Sequence, residues 1–395
     1  MTRASDPAVR RDVSDDDLKT PAPAGDVVVH VFGRTDVGRT REHNEDAFVV
    51  ADLTTGNATL QPEVRSHVVG PRGTLFMVAD GMGGAAAGEI ASAMAVEVVV
   101  RDLVMRWSAT SATDPAQFVS AIRAATEHAN ARIHRYAADH REYRGMGTTA
   151  TIAGLLGDTL YVAQVGDSRG YLVRDGVARQ ITKDQSLMQR LVEAGEITAE
   201  EAEVSDRRNI ILQALGPEPQ IRVDLTHQQV RRGDVLILCS DGLSGLVRAD
   251  EIARVVREEP ELVALCKRLI DTANAAGGPD NITVIAARFE GDGLAAPDER
   301  DEVGHRVFSI PGEPPPEPEP PLIGRSSRDA AKRPTGQTAA VPDAVRTSPP
   351  AGTPAATVEL PPRDPASVRR AYTAVAALGV LLIVACAVYY LFLAR

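Results

Sequence analysis

The sequence predicts an α+β domain with helices packed on antiparallel sheets, followed by a proline-rich linker and a C-terminal transmembrane helix. Three observations carry the domain. Short apolar runs of strand length recur from Asp26 to about Glu290; two pairs of them are joined by two-residue turn signals; and the helical patterns come in blocks. Strands alternating singly with helices would instead point to a parallel sheet.

Residues 1–25 lack the apolar stretch of a signal peptide and read as a disordered lead-in. VVVHVFG, DAFVVADL and TLFMVAD then carry the valine, phenylalanine and alternation of strands. Apolar residues recur at three- and four-residue intervals near Gly88 to Trp107 and Asp114 to His140, which predicts two long helices. TTATIAGLLGDTLYVAQVG breaks at Gly157-Asp158 and RGYLVRDGVARQIT at Asp175-Gly176, so each is read as a hairpin. Asp184 to Gly216 holds short helical and polar pieces and reads as an excursion, or flap, beside the sheets. DVLILCSDG gives a further strand, EIARVVREEPELVALCKRLIDTANAAG gives helices, and NITVIAARFE closes the domain, which is placed at 26–291.

Residues 292–370 are too rich in proline and too poor in apolar side chains to fold, and form a semi-extended tether. The transmembrane helix is placed at 371–393. Thr373 to Leu393 contains no charge over 21 residues, enough at about 1.5 Å per residue to cross a hydrocarbon core of roughly 30 Å. Arg369 and Arg370 before it put the long N-terminal part on the cytoplasmic side of the plasma membrane.

The composition, 44% hydrophobic and 25% charged, is that of a globular protein, while the net charge of -11 and the lack of a basic cluster exclude a sequence-independent grip on nucleic acid. Cys239, Cys266 and Cys386 have no metal-ligand spacing and are too few for a disulfide framework, which suits a reducing compartment.

Acidic residues gather at the ends of the strand-like runs: Glu45 and Asp46 in HNEDAFVV, Asp80 in MVADGMGG, Asp241 in LCSDGLSG and Asp280 in GGPDNITV. An Asp-Gly pair is ordinarily a turn, and Asp175-Gly176 fits that reading with strands on both sides. Asp80-Gly81 and Asp241-Gly242 do not, because no return strand follows. Carboxylates brought together resist ionisation, so they imply either raised pKa values or a cation. Oxygen ligands without histidine or cysteine select Mg²⁺ or Mn²⁺ over Zn²⁺, and two such ions can activate a water and clamp a phosphoryl oxygen. Gly81, having no side chain, lets a backbone carbonyl and waters reach the same ion. Arg41, a few residues before Glu45, offers the planar fork that holds a phosphate.

DVGRTREHNEDAF, VADGMGG, GMGTTA, VGDSRGYLVRDG, LCSDGLS and PDNITV, in this order, resemble the bacterial branch of the PPM, or PP2C, family of metal-dependent Ser/Thr protein phosphatases. The likeness runs from about Val28 to Phe289. It implies a four-layer α-β-β-α sandwich with a binuclear Mn²⁺ or Mg²⁺ centre at one end of the two sheets. Asp80 would bridge the ions, Gly81 would donate its carbonyl, Asp241 and Asp280 would complete the inner ligands, and Glu45 and Asp46 would hold the second ion and its waters. Arg41 would bind the substrate phosphate, an activated water would attack phosphorus in line, and Asp167 would support the site structurally. Two departures stand out. Met82 occupies the place of a histidine found in many relatives, and Arg144 replaces the Asp expected to bind a third metal, which puts that third site in doubt. His43 reads as a solvated rim residue.

The expected substrates are phosphorylated cytoplasmic proteins, with Ser/Thr kinases near the membrane as opposing partners. A non-catalytic regulator that binds phosphoprotein, and a dedicated phosphatase for a regulator of a sigma factor, are the competing readings; the sequence leaves the oligomeric state open.

Overall fold

In the computed structural model of the chain, the described residues are 25–314 apart from 58–64, 109–112, 204, 206, 208 and 299. The lead-in before residue 25, the linker after residue 314 and the transmembrane helix expected at 371–393 lie outside them. Among the described residues no helix is long and apolar enough to cross a membrane.

The path begins with β1 (Val28–Asp36), β2 (Ala47–Asp52), β3 (Arg65–Val68) and β4 (Thr74–Ala79), then the two-residue strand β5 (Gly81–Met82). Helices α1 (Ala85–Ser108) and α2 (Pro115–Asp139) follow as a block, as the periodicity predicts. Gly83 and Gly84, at φ 115° and 91°, supply the left-handed backbone that turns the chain into α1. Asp114 caps α2 by accepting from the Ala116 amide, and Pro115 takes the first turn, where its missing N–H costs nothing. After β6 (Gly147–Thr148) come the hairpins β7 (Ala150–Leu156) with β8 (Thr159–Val165), and β9 (Arg169–Arg174) with β10 (Val177–Gln180). Their turns are the two expected; in the second, Asp175 and Gly176 both take positive φ, 50° and 75°.

The 184–216 excursion holds α3 (Leu187–Glu193) and α4 (Ala199–Glu203). The chain returns as β11 (Asp224–Gln229) and β12 (Val235–Cys239), then α5 (Asp241–Ser244), α6 (Ala249–Glu258), α7 (Leu262–Ala275) and β13 (Ile282–Glu290). Pairing is antiparallel throughout two sheets, ordered β10-β9-β12-β13-β1-β3 and β11-β8-β7-β4-β2.

Strand alternation sorts the apolar residues into three stacked cores. In β4, Leu75, Met77 and Ala79 face α1 and α2, while Phe76 and Val78 face the other sheet. In β13, Val284 and Ala286 face the helices α5 to α7, and Ile285, Ala287 and Phe289 meet Phe76 between the sheets. A central strand buried on both faces reads as an unbroken apolar run, and each fully buried Phe or Ile contributes about 1.5–3 kcal/mol. Helices, sheet, sheet and helices thus succeed one another, with one apolar core between each pair of layers.

Residues 292–314, which composition assigns to the linker, pack on this body. Leu294 is fully buried, Phe308 sits edge-on to Tyr161 at 5.4 Å, and Asp301 accepts two hydrogen bonds from Arg231. Residues 306–308 pair with β11, through His227 N to Arg306 O at 2.9 Å and Phe308 N to Leu225 O at 2.9 Å. A few anchors hold an otherwise polar segment, so average composition misplaces it. Beneath this strap, Arg174 and Asp234 form an ion pair at 2.6 Å with side chains only 6% and 1% exposed. Cys239 and Cys266 are buried, which pushes each thiol up to about 12.

Candidate active site

The two sheets end together at one rim. Asp46 immediately precedes β2, Asp80 immediately follows β4, and Asp167 lies between β8 and β9. Asp241 opens α5 just beyond β12, and Asp280 stands two residues before β13. Rigid strand ends hold these carboxylates while leaving their oxygens free of the ladders.

Asp80 is fixed through its backbone: its amide donates to Thr149 Oγ1 at 2.9 Å, and Thr149 N donates back to the Asp80 carbonyl at 2.8 Å. Thr149 Oγ1 also meets Ser168 Oγ at 2.8 Å. One oxygen of Asp46 accepts from Ser240 Oγ at 2.8 Å and Thr283 Oγ1 at 2.7 Å. Asn281 ties the Glu45 segment to the rim, accepting from Glu45 N at 2.8 Å and donating to the His43 and Val37 carbonyls. Gly81 is needed for close approach: a Cβ there would lie 2.3 Å from the Gly88 carbonyl oxygen and 2.5 Å from that of Glu45.

Desolvation, reinforced by the neighbouring acids, holds these carboxyls above their ordinary range. Burial and the charges of Asp46, Asp241, Asp167 and Asp280 raise Asp80 well above it. Burial pushes Asp46 up to about 7 against its two hydroxyl donors, and Asp167 to about 8 with Asp241 and Asp184 adding to it. Asp241 rises through burial and Asp280, and Glu45 through burial opposed by Arg41. Partial burial works against the Arg41 charge, yet Asp280, Glu45 and Asp80 keep its pKa raised. Arg41 reaches Asp280 at 2.9 Å, so the expected phosphate ligand and an expected metal ligand contact each other.

One oxygen each of Asp46, Asp167 and Asp241 is buried with no hydrogen-bond partner among the described residues. Buried anionic oxygens left unpaired are costly. An all-oxygen set with spare lone pairs is the donor chemistry of Mg²⁺ or Mn²⁺. Among the described residues no three His, Cys, Asp or Glu side chains are already assembled as a cation site.

The rim holds Arg41, Asp46, Asp80, Asp241 and Asp280 close enough for their charges to act on one another, with Gly81 next to Asp80 and Glu45 buried. Asp167, to which the resemblance gives a supporting role, lies beside these acids: one of its oxygens has no hydrogen-bond partner among the described residues, its charge acts on Asp80, and that of Asp241 acts on it. Arg144, from which the doubt about a third cation arose, is exposed and is not among the dominant charges acting on any of these carboxyls. The hydroxyls of Thr149, Ser168, Ser240 and Thr283 were missed by sequence reasoning; their signal was only a polar residue at the apolar end of a strand.

Comparison with known proteins identifies relatives of the whole domain. The sequence model of the protein phosphatase 2C family matches residues 57–283. A serine/threonine phosphatase, stp, of Listeria monocytogenes is 38% identical over 258 residues, covering 65% of this chain and 94% of the relative. The crystal structure of the Mycobacterium tuberculosis serine/threonine phosphatase PstP/Ppp superposes with TM-score 0.56 at 35% identity, over 67% of this chain and 99% of that one. The catalytic domain of PstP has also been solved in complex with two manganese ions, and matches with TM-score 0.54 at 35% identity over the same shares of the two chains. Fold, rim chemistry and sequence together show that the chain belongs to the protein phosphatase 2C family.

Proposed function

We propose that the chain is a metal-dependent protein serine/threonine phosphatase, tethered to the plasma membrane with its catalytic domain in the cytoplasm. The observation that carries the chemistry is the set of buried, unpartnered carboxylate oxygens on Asp46, Asp167 and Asp241 around Asp80. Asp80, the Gly81 carbonyl, Asp241 and Asp280 would hold two Mn²⁺ or Mg²⁺ ions, with Glu45 and Asp46 orienting the second ion and its waters. When bound, the ions supply a water acidic enough to be a nucleophile at neutral pH and neutralise charge on the phosphoryl oxygens.

The residues of the chain supply the rest. Arg41 would take a phosphate through the same guanidinium that meets Asp280, and its raised pKa keeps it charged. Thr149, Ser240 and Thr283 fix the acidic groups without adding charge. Met82 on β5 provides no proton for the departing seryl or threonyl oxygen, so water or another group must serve as the acid. The uncharged stretch 373–393 would confine the domain near the bilayer and raise its effective concentration toward membrane-bound Ser/Thr kinases and their phosphorylated targets.

The test is Mn²⁺-dependent release of phosphate from a phosphothreonine peptide by the full-length chain, beside Asp80→Asn. Activity in the first and none in the second, with both folded by circular dichroism, is expected. A folded wild type inactive with Mn²⁺ and with Mg²⁺ overturns the reading and leaves a phosphoprotein-binding regulator. Membrane attachment is tested separately by fractionation, where solubility of the full-length chain overturns it.

A further inference from the structure

We propose that Gln185 is a positioning residue: with Gln213 it latches the base of the 184–216 excursion onto Gly166, and so fixes the Asp167 carboxylate in the acidic centre for a divalent cation. The proposal rests on the metal-dependent reading above.

Gln185 grips Gly166 from both sides. Its own amide donates to the Gly166 carbonyl at 2.9 Å, and its side-chain Oε1 accepts from Gly166 N at 2.9 Å. The same Oε1 accepts from Gln213 Nε2 at 2.9 Å, and Gln185 Nε2 donates to Asp224 on β11 at 2.9 Å. Gln213 in turn exchanges hydrogen bonds with the Arg222 backbone. The two ends of the excursion are therefore closed by an amide pair, with Leu212 N to Gln185 O at 2.8 Å and Leu187 N to Ile210 O at 2.9 Å as the adjoining rungs.

Gly166 has little freedom to absorb a change at this latch. Its φ is 100°, and a Cβ on it would lie 2.6 Å from Thr149 Cγ2. Thr149 holds the Asp80 amide and the Ser168 hydroxyl. Asp167 thus sits between a glycine clamped by the excursion and a serine clamped by the Asp80 support. Neutral amides suit this place: they satisfy the buried Gly166 donor and the Asp224 acceptor without adding a charge to a crowded acidic rim. Groups that orient a metal ligand from behind commonly change metal affinity by about 10- to 100-fold when removed.

The experiment is Mn²⁺ titration calorimetry on the full-length chain, with phosphopeptide kinetics alongside, for wild type, Gln185→Ala and Gln213→Ala. Gln185→Ala is expected to bind Mn²⁺ about tenfold more weakly and to lose kcat with KM unchanged. Gln213→Ala, which leaves the Gly166 contacts in place, is expected to shift both in the same direction by less. Mn²⁺ binding like wild type in folded Gln185→Ala overturns the latch, whatever happens to its melting temperature. Should Gln185→Ala fail to fold, Gln213→Ala decides, and unchanged Mn²⁺ binding there overturns it. Wild type that takes up no Mn²⁺ overturns the underlying metal reading and the latch with it.

Discussion

The guanidinium of Arg41 donates to the carboxylate of Asp280 at 2.9 Å, joining positions 239 residues apart. The pair is open to solvent, with side chains 46% and 30% exposed, and an exposed ion pair is worth about 0–1 kcal/mol. Its value is therefore positional. Arg41→Ala is expected to leave the melting temperature almost unchanged and to raise KM for a phosphopeptide by about 10- to 100-fold, the loss of a charge-assisted contact. Steady-state kinetics on both proteins check this; an unchanged KM removes Arg41 from phosphate binding.

The acidic rim should make the metal-free chain less stable as pH rises. Asp46 and Asp167, pushed up to about 7 and about 8, keep protons that the unfolded chain has already lost near pH 4. The stability they contribute is full below the unfolded pKa of about 3.9 and drains away as pH rises through the folded values. In EDTA, melting temperature should fall between pH 5.5 and 8.5. Over the same window Mn²⁺ affinity should rise, because cation and proton compete for the same oxygens. A flat affinity profile would contradict this.

Arg174 and Asp234 test the buried pair under the strap. Asp234 accepts from Arg174 twice and from the Arg231 amide. Asp234→Ala strands a guanidinium and should cost about 3–5 kcal/mol by urea denaturation. Replacing both with Arg174→Met and Asp234→Leu should recover much of that, as two apolar groups leave no buried charge. A double variant as unstable as the single one would show that the Arg174 contacts to Gln229 and Asp301 carbonyls matter more than the pair.

Gly81→Ala forces a methyl to within 2.3 Å of the Gly88 carbonyl oxygen. Backbone must shift at the start of α1 and at Glu45. We expect a loss of about 1–3 kcal/mol from overpacking, together with weaker Mn²⁺ binding, read by thermal melting and calorimetry. Melting and binding both equal to wild type would show that the rim yields at no cost.

Much of this was legible because strand burial writes itself into sequence. The β4 and β13 runs are apolar on both faces, and the carboxylate closing one and preceding the other stands out against them. Helix limits were nearly right, since Asp114-Pro115 and the glycines at 83 and 84 are local signals. The place of Asp167 beside the other acids was not legible, because VGDSR sits in a tight link between β8 and β9, where a turn carboxylate and a site carboxylate look alike. The Arg41–Asp280 contact, the Gln185–Gln213 latch and the packing of residues 292–314 depend on partners far away in sequence, and no local pattern announces such partners.

The strap along β11 has a further consequence. Outermost in its sheet, β11 would otherwise present an open edge from Leu225 to His227, and residues 306–308 occupy it. Exposed strand edges recruit further strands, from copies of the same chain as readily as from any other. By lending its own polypeptide to the edge, the domain carries its protection against self-association in residues 306–308. A protease cutting near residue 300 would separate that protective strand from the domain and leave the β11 edge open to pairing.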